Sequence, residues 1–218
     1  MALDHDNSDS RLRAAVIVAH PDDETLWCGG YILTHPQYQW RIVTLCRAED
    51  SDRAPKFDRV LQQMGAEGEM GDLDDGPEQT PLPVEEVQNT IVRLLAGNRY
   101  DLILTHGPEG EYTRHRRHEE CSRAVVELWR AGGIDTGTMW MFAYHDGGGA
   151  YLPRVCGDAE IRETLTTTVW LEKRRLITGI YGYGSESWEA QTTPREEGFY
   201  RLNTIHEAVA RTRSPKQE

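Results

Sequence analysis

AAVIVAHPDDE, residues 14–24, joins six consecutive apolar residues to a histidine and three carboxylates. A short continuous apolar run is typical of a strand that is buried on both faces, as in a parallel sheet. Parallel strands end at one common edge, and open α/β sheets bind their ligands there. This stretch therefore predicts a parallel α/β fold with His20, Asp22, Asp23 and Glu24 at its ligand-binding edge.

The rest of the chain alternates between segments with strand character and segments with helical spacing. Apolar runs predict strands at 14–19, 41–46, 67–72, 100–105 and 138–144. Helical spacing predicts helices at 23–35, 56–64, 84–96 and 116–131, and residues 164–170 have β character and lead into a helix near 170–180. Such alternation predicts a Rossmann-like three-layer sandwich, with a mostly parallel sheet and helices on both faces.

The length, charge and cysteine content limit the class of protein. The 218 residues predict a single domain at 13–210, between flexible tails at 1–12 and 211–218. The formal net charge of −12 disfavours binding to nucleic acid or to a membrane surface, because both are anionic. The polar N-terminus has no signal-peptide core, and the four cysteines form no CxxC pair. We therefore expect a cytoplasmic protein with buried, reduced cysteines, which could form a homo-oligomer.

A second polar segment follows the strand predicted at 100–105. It reads THGPEGEYTRHRRHEE, residues 105–120, and its last two histidines, His115 and His118, project to one side of a helix start. Taken alone, that pair fits a solvated helix face, and the carboxylates at 22–24 fit the first turn of a helix. At one sheet edge, two histidines and a carboxylate make a catalytic zinc site, and a further aspartate can serve as general base.

Both segments resemble the zinc-dependent N-deacetylases of the LmbE-like, or PIG-L-like, family. AHPDDE matches the first motif of that family, and THGPEGEYTRHRRH matches the second. RIVTLCRAED and VWLEKRRLITGIYGYGSES resemble a later strand with its loop and a lysine-bearing helix, so the resemblance covers most of residues 13–188. It implies hydrolysis of an acetyl group from an N-acetylated amino sugar or glycoconjugate, a small-molecule partner.

The resemblance assigns roles by position. It implies that His20, Asp23 and His118 hold Zn²⁺ or another divalent metal. Asp22 would be the general base that activates water. His115, as imidazolium, would stabilise the oxyanion or protonate the leaving amine.

Three further residues match substrate-binding positions of the family. Tyr112 would contact the substrate carbonyl, Arg53 would hold the substrate, and Asp75, or Asp74 beside it, would contact the sugar. HRRH departs from the usual HPDH because it lacks an acidic residue between the histidines. That change predicts the loss of a carboxylate that orients a ligand histidine.

Other polar and aromatic residues have simpler interpretations. We expect Glu24 to brace the turn, and His106 to shape its loop or support the site rather than bind the metal. His145 and Asp146 are expected in a plain loop, EKRR at 172–175 on a solvated helix face, and the aromatic residues of YGYGSESW in the core.

Two other classes of function compete with the deacetylase hypothesis. One is an amidase for a non-sugar amide or a thiol conjugate, and the other is a catalytically silent metal-binding or sugar-binding protein. A nucleotide-binding module is disfavoured, because the first strand-to-helix turn lacks GxGxxG and carries carboxylates where phosphates would bind.

Overall fold

A seven-stranded sheet forms the centre of the protein in the computed structural model, which describes residues 11–213. Five strands are parallel in the order β3-β2-β1-β4-β5, and two antiparallel strands, β9 and β8, extend the β5 edge. The strands are β1 (Arg13–Val18), β2 (Gln39–Thr44), β3 (Glu67–Met70), β4 (Arg99–Thr105), β5 (Asp135–Phe142), β8 (Ile161–Thr164) and β9 (Glu196–Leu202). A separate pair joins β6 (Tyr144–His145) to β7 (Arg154–Val155). The predicted mostly parallel α/β sheet is confirmed.

Helices cover both faces of this sheet. They are α1 (Asp23–Thr34), α2 (Arg53–Met64), α3 (Val84–Leu94), α4 (Arg116–Ala131), α5 (Thr167–Arg175), α6 (Trp188–Thr192) and α7 (Ile205–Arg213). Successive residues of β1 point to opposite faces, so Ile17 packs in the cluster with α3, α4 and α7, while Val16 packs in the cluster with α1 and α2. The predicted three-layer sandwich is therefore confirmed.

The strand order places a crevice at the carboxyl end of β1. The chain runs outward from β1 through β2 to β3 on one side, while β4 and β5 lie on the other side. Ligands of open α/β sheets bind where the strand order reverses in this way. The first turns of α1 and α4, which follow β1 and β4, begin at this crevice. Both polar segments found in the sequence therefore meet at one place.

The C-terminal third differs from the prediction. Residues 164–170 do not continue as a strand: β8 ends at Thr164, and α5 begins at Thr167. The hydroxyl of Thr166 caps this helix by accepting a hydrogen bond from the backbone N–H of Val169. A π-helical turn, Leu176–Ile180, follows α5. No strand was predicted at β9, which lies between β5 and β8.

Lys173 corrects the expectation of a solvated helix face at 172–175. Its side chain is fully buried, and its ammonium lies 2.6 Å from the carboxylate of Glu197 on β9. The same carboxylate accepts hydrogen bonds from the backbone N–H groups of Gly30 and Tyr31. A Cβ on Gly30 would lie 2.4 Å from Leu165, so this glycine permits a close approach of α1 to the α5 region.

Three remaining expectations concern cysteines, membranes and tails. All four cysteines are buried and none is in a disulfide, as expected. Within residues 11–213, no helix has the length and apolar composition that crossing a bilayer requires. α7 continues to Arg213, past the predicted domain end at 210, and residues 1–10 and 214–218 of the predicted tails lie outside the described residues.

Candidate active site

Three predicted metal ligands converge at the carboxyl end of β1. The Nδ1 atom of His20 lies 3.2 Å from Oδ2 of Asp23, and Nε2 of His118 lies 3.3 Å from that oxygen. The two histidine nitrogens are 3.4 Å apart. In a tetrahedron around zinc with bonds of about 2.0–2.1 Å, two ligand atoms are separated by about 3.3 Å. The spacing of the three atoms therefore fits a tetrahedral cation.

The outer partners of both histidines leave the lone pairs facing this triangle. The other ring nitrogen of His20 lies 3.2 Å from Oδ1 of Asp75, and that of His118 lies 2.7 Å from Oε2 of Glu111. A ring N–H donated to each of these carboxylates leaves the unprotonated nitrogen directed at Asp23. Two lone pairs and a carboxylate at this distance repel one another unless a cation lies between them.

A second proton on the His118 ring can supply the same positive charge. Burial lowers the pKa of His118, but the ion pair and hydrogen bonds with Asp23 and Glu111 outweigh it and raise that pKa to about 9. Burial raises the pKa of Asp23, but the charge of His118 holds it well below its usual range. Among the described residues, candidate metal-binding groups also include His115, Cys46, Asp75 and His106, each grouped with His20 or His118. The cluster could therefore hold a metal ion.

His106 uses both ring nitrogens within the protein. Its Nε2 accepts a hydrogen bond of 2.9 Å from the backbone N–H of Ala19, and its Nδ1 donates to Glu111 at 2.9 Å. Glu111 also accepts from the backbone N–H of Gly107. These bonds fix the loop that follows β4, as expected of His106, and its predicted role beside the metal stays a prediction. Glu111 supplies the orienting carboxylate whose loss HRRH predicted, so that prediction is wrong.

Asp22 lies beside the ligand triangle in a strained backbone conformation, with φ of 124°. The carboxylate of Glu24 accepts its backbone N–H at 3.0 Å, and Glu24 is held in turn by the hydroxyls of Thr25 and Tyr181. The expected bracing role of Glu24 is thereby confirmed. Burial, followed by the charge of Asp23, raises the pKa of Asp22 to about 7. A carboxyl with this pKa can both accept and return a proton near neutral pH.

Tyr183 and Arg53 hold the Asp22 carboxylate. The Tyr183 hydroxyl donates a short hydrogen bond to Oδ2 of Asp22, and Nη1 of Arg53 lies 3.4 Å from the same oxygen. Arg53 also donates to the Tyr183 hydroxyl at 2.5 Å and lies over its ring at 4.7 Å. The sequence had suggested a core position for Tyr183. In the structure this residue is instead a direct partner of Asp22.

His115 borders the cluster without a bond from its Nδ1 atom, which is buried and has no hydrogen-bond partner among the described residues. Its ring packs at 4.5 Å from the ring of His20 and at 4.8 Å from that of His118. Burial and then the charge of His118 lower the pKa of His115 to about 3. These surroundings disfavour the expected imidazolium and favour a neutral ring, whose N–H can donate to an oxyanion.

The two aspartates predicted to contact a sugar, Asp75 and Asp74, have different surroundings. Both oxygens of Asp75 are engaged, by His20 and Gln79 on one side and by Arg47 at 2.5 Å on the other. Asp74 lies outside the pocket and pairs with Arg117 at 3.3 Å. Asp75 is therefore placed to orient His20, and its predicted contact with a sugar stays a prediction.

A pocket of about 360 Å³ opens over the cluster. Seven of the eight predicted site residues border it, namely His20, Asp22, Asp23, Arg53, Asp75, Tyr112 and His115; His118 is fully buried beneath them. Sequence reasoning missed five polar or aromatic lining residues: Arg47, Asp50, Tyr183, Trp188 and Glu189. Tyr183 and Trp188 belong to YGYGSESW, the one sequence signal that could have indicated them.

Aromatic and charged side chains occupy different parts of this pocket. The ring of Trp188 lies 4.7 Å from that of Tyr112 and 6.4 Å from that of Trp27, so the three rings form a packed apolar wall. Trp188 is 36% exposed, whereas Trp27 is fully buried behind it. The ionic side chains, such as Arg47 and Asp75, complete the lining. An apolar wall with polar partners suits a sugar ring, which has C–H faces and hydroxyl edges.

Residues 15–129, more than half of the chain, match the family model described as PIG-L, GlcNAc-PI de-N-acetylase. The chain belongs to the PIG-L family. The resemblance found in the sequence is thereby confirmed. An uncharacterized protein, L374 of Acanthamoeba polyphaga mimivirus, is 20% identical over 138 residues, which are 56% of this chain and 60% of that relative. The match therefore spans less than two thirds of the length of that relative.

Solved structures share the fold of this PIG-L family member. N,N'-diacetylchitobiose deacetylase from Pyrococcus horikoshii has a TM-score of 0.66 at 14% identity, covering 89% of this chain and 85% of that chain. A zinc-inhibited form of teicoplanin deacetylase Orf2 has a TM-score of 0.60 at 12% identity, with coverage of 83% and 88%. GalB, a 4-carboxy-2-hydroxymuconate hydratase from Pseudomonas putida KT2440, has a TM-score of 0.59 at 16% identity, with coverage of 88% and 96%. Because a hydratase also has this fold, the fold by itself does not determine the reaction.

Proposed function

We propose that this protein is a zinc-dependent N-deacetylase that releases acetate from an N-acetylated amino sugar or glycoconjugate. One observation carries the proposal: three ligand atoms with tetrahedral spacing lie directly beside Asp22, a carboxyl with a pKa near neutrality. Membership of a family described by de-N-acetylation supports the same reaction. The apolar wall formed by Trp188 and Tyr112 supports a sugar as the group that carries the amide.

The ligand set suits zinc. His20, Asp23 and His118 offer two nitrogens and one oxygen, which is a common protein contribution to catalytic zinc sites with an open fourth position. A zinc ion held there supplies Lewis acidity, which polarises an acyl carbonyl and makes water acidic near neutral pH. Asp75 and Glu111 fix the ring orientations of the two histidines, so the ligands are positioned before binding.

The other residues account for the movement of protons. Asp22 takes a proton from the attacking water while the oxygen of that water forms a bond to the acetyl carbon. His115, as a neutral ring, donates an N–H to the oxygen that becomes negative. The C–N bond then breaks, the nitrogen takes the proton back from Asp22, and acetate and a free amine are released.

The test combines metal analysis with acetate release. The purified protein should contain about one zinc ion and release acetate from at least one member of a panel of N-acetylated amino sugars and their glycosides. N-acetylated non-sugar amines and thiol conjugates form the comparison set, which separates the rival amidase. Zinc without acetate release from any sugar would sink the proposal and favour a silent binding protein.

Tyr183→Phe should shift the pH dependence of turnover. The Tyr183 hydroxyl donates to the ionised form of Asp22 and lowers its pKa, so its removal raises that pKa. Because the reaction needs ionised Asp22, the acidic limb of the pH–rate profile should move to higher pH by about one unit, and kcat at pH 7 should fall about fivefold. The measurement is kcat against pH with the zinc-loaded protein.

Tyr38→Phe provides the matched control for that experiment. Tyr38 is a half-buried tyrosine that precedes β2, at the opposite edge of the sheet from the pocket. The pH–rate profile of Tyr38→Phe should coincide with that of the wild type. An acidic limb that stays in place, or moves to lower pH, in Tyr183→Phe would contradict the assignment.

Glu111→Gln should weaken metal binding. The fully buried Glu111 carboxylate accepts hydrogen bonds from both His118 and His106, so its charge makes His118 a better ligand. Partners of this kind change metal affinity by about 10–100-fold. Competition with a chromogenic chelator measures that affinity, and Glu109→Gln, an exposed position two residues earlier, is the control. Equal affinity in Glu111→Gln and Glu109→Gln would remove Glu111 from this role.

A further inference from the structure

A second, larger cavity lies beside the catalytic pocket. Its volume is about 690 Å³, against about 360 Å³ for the pocket over the ligand cluster. It is formed by the loop that follows β4, the first turn of α4 and the segments that follow β6 and β7, and Tyr112 borders both cavities. The two cavities therefore adjoin along the carboxyl edge of the sheet, on either side of one tyrosine.

The lining of the larger cavity is strongly acidic. It contains four carboxylates, from Glu109, Glu119, Asp146 and Asp158. Arg114 supplies the one guanidinium among its lining residues, all of which are described, and no lysine is present. That guanidinium is neutralised by Glu119, which it contacts at 2.5 and 2.8 Å. Asp158 pairs with Arg211, which lies outside the lining, at 3.5 Å. Four carboxylates against these two guanidiniums leave a net negative field for any group that enters the cavity.

The remaining wall is built from glycine and from a fixed loop. Gly147 and Gly148 have φ of 62° and 71°, a region that favours glycine, and they leave this part of the wall without side chains. Asp146 accepts hydrogen bonds from the N–H and the hydroxyl of Thr113, both at 2.7 Å. His145 and Asp146 thus do not form a plain loop: His145 ends β6 and contacts the Tyr151 hydroxyl, and Asp146 fixes this wall to the segment that carries Tyr112.

We propose that this cavity is a subsite for the part of the substrate attached to the N-acetylated sugar, and that it selects a further sugar unit, neutral or amine-bearing, over a phosphate-bearing group. The inference rests on the proposed function, because the sugar is placed in the adjoining pocket. Sugar hydroxyls and ammonium groups donate to carboxylates, whereas a phosphate meets like charge in a partly desolvated space.

Gly157→Trp tests whether the cavity is used. Gly157 lines the cavity, a Cβ on it meets no atom within 4 Å, and its backbone is not in the left-handed region. The indole should fill the cavity and leave the catalytic pocket unchanged. The value of kcat/KM for a disaccharide of N-acetylglucosamine should fall about tenfold, whereas that for methyl N-acetylglucosaminide should stay the same. Gly157→Ala, which adds one methyl group, should change neither value.

The charge selection is tested with a substrate series on the wild-type protein. The expected order of kcat/KM is amine-bearing disaccharide, then neutral disaccharide, then N-acetylglucosamine 1-phosphate, with about tenfold between the last two. Salt should narrow that gap, because it screens charge. Glu109→Lys, at an exposed position, should raise kcat/KM for the phosphate-bearing substrate about threefold relative to kcat/KM for the neutral disaccharide.

The outcomes separate the two proposals. No acetate from any N-acetylated sugar, with zinc bound, overturns the proposed function and this inference with it. Acetate from methyl N-acetylglucosaminide together with no loss of disaccharide turnover in Gly157→Trp overturns the inference alone. A wild-type preference for the phosphate-bearing substrate also overturns it. Thermal unfolding and zinc content establish that each variant is folded. The substrate series on the wild-type protein tests the charge selection independently of any variant.

Discussion

Replacing Asp22 by asparagine is expected to lower kcat by about a thousandfold, equivalent to about 4 kcal/mol, while the bound metal stays in place. The carboxylate is the one group beside the ligand triangle with a pKa raised to about 7, so it can take the proton of water and return it to the leaving amine. The amide of asparagine has the same shape but does not accept a proton. Because Asp22 contributes none of the three ligand atoms, zinc content should stay at the wild-type value.

Asp58→Asn is the matched control for this experiment. Asp58 lies at an exposed position of α2, outside the pocket, so the variant makes the same change of charge without affecting the site. It should retain wild-type kcat and zinc content. Near-normal turnover in Asp22→Asn would refute the general-base role, and loss of zinc in that variant would show that Asp22 acts through the ligand cluster instead.

Replacing His118 by alanine should abolish zinc binding at the site. His118 supplies one of the three ligand atoms. It is fully buried, so no solvent-exposed side chain can take its place. Zinc at about one hundred times its Kd stabilises a folded binder by about 2.7 kcal/mol, which for a chain of this size raises Tm by about 5–10 °C. The variant should show no such rise, as measured by thermal unfolding with and without zinc.

Two further variants make the His118 result interpretable. His118→Asn keeps a donor for Glu111 and guards against unfolding through an unpaired buried carboxylate. His206→Ala, at an exposed position of α7, removes a histidine far from the pocket and should behave as the wild type. A full zinc-induced rise of Tm in both His118 variants would exclude His118 as a ligand.

The fold was largely predictable up to α4, and much less so after β5. Strands such as β1 and β4 are buried on both faces, so their apolar runs are continuous and easy to recognise. β8, by contrast, is an exposed edge strand with the sequence IRET, and its pattern is not distinct from that of a loop. β9 pairs with β5 across the sheet, and this pairing is a long-range contact that no local pattern encodes.

The environment of the site was less predictable than its ligands. Tyr183 reaches Asp22 across 161 positions of the chain, and the sequence interval gives no indication of that bond. Glu111 was overlooked because it stands before the histidine pair, whereas HRRH directed attention to the residues between the histidines. Lys173 shows the same limit, since four charged residues in a row predict exposure unless a buried partner such as Glu197 is known.

By itself, the sequence determined that a buried parallel strand ends in AHPDDE, and that a second histidine-bearing segment follows another such strand. Both conclusions depend on local periodicity and on the common edge at which parallel strands end. Only the tertiary structure decided which atoms face one another: the ring nitrogens of His20 and His118, the carboxylates that orient them, and the tyrosine and arginine that hold Asp22. The physical reason is that these distances depend on how separate strands and helices pack, and packing brings together residues that are far apart in the chain.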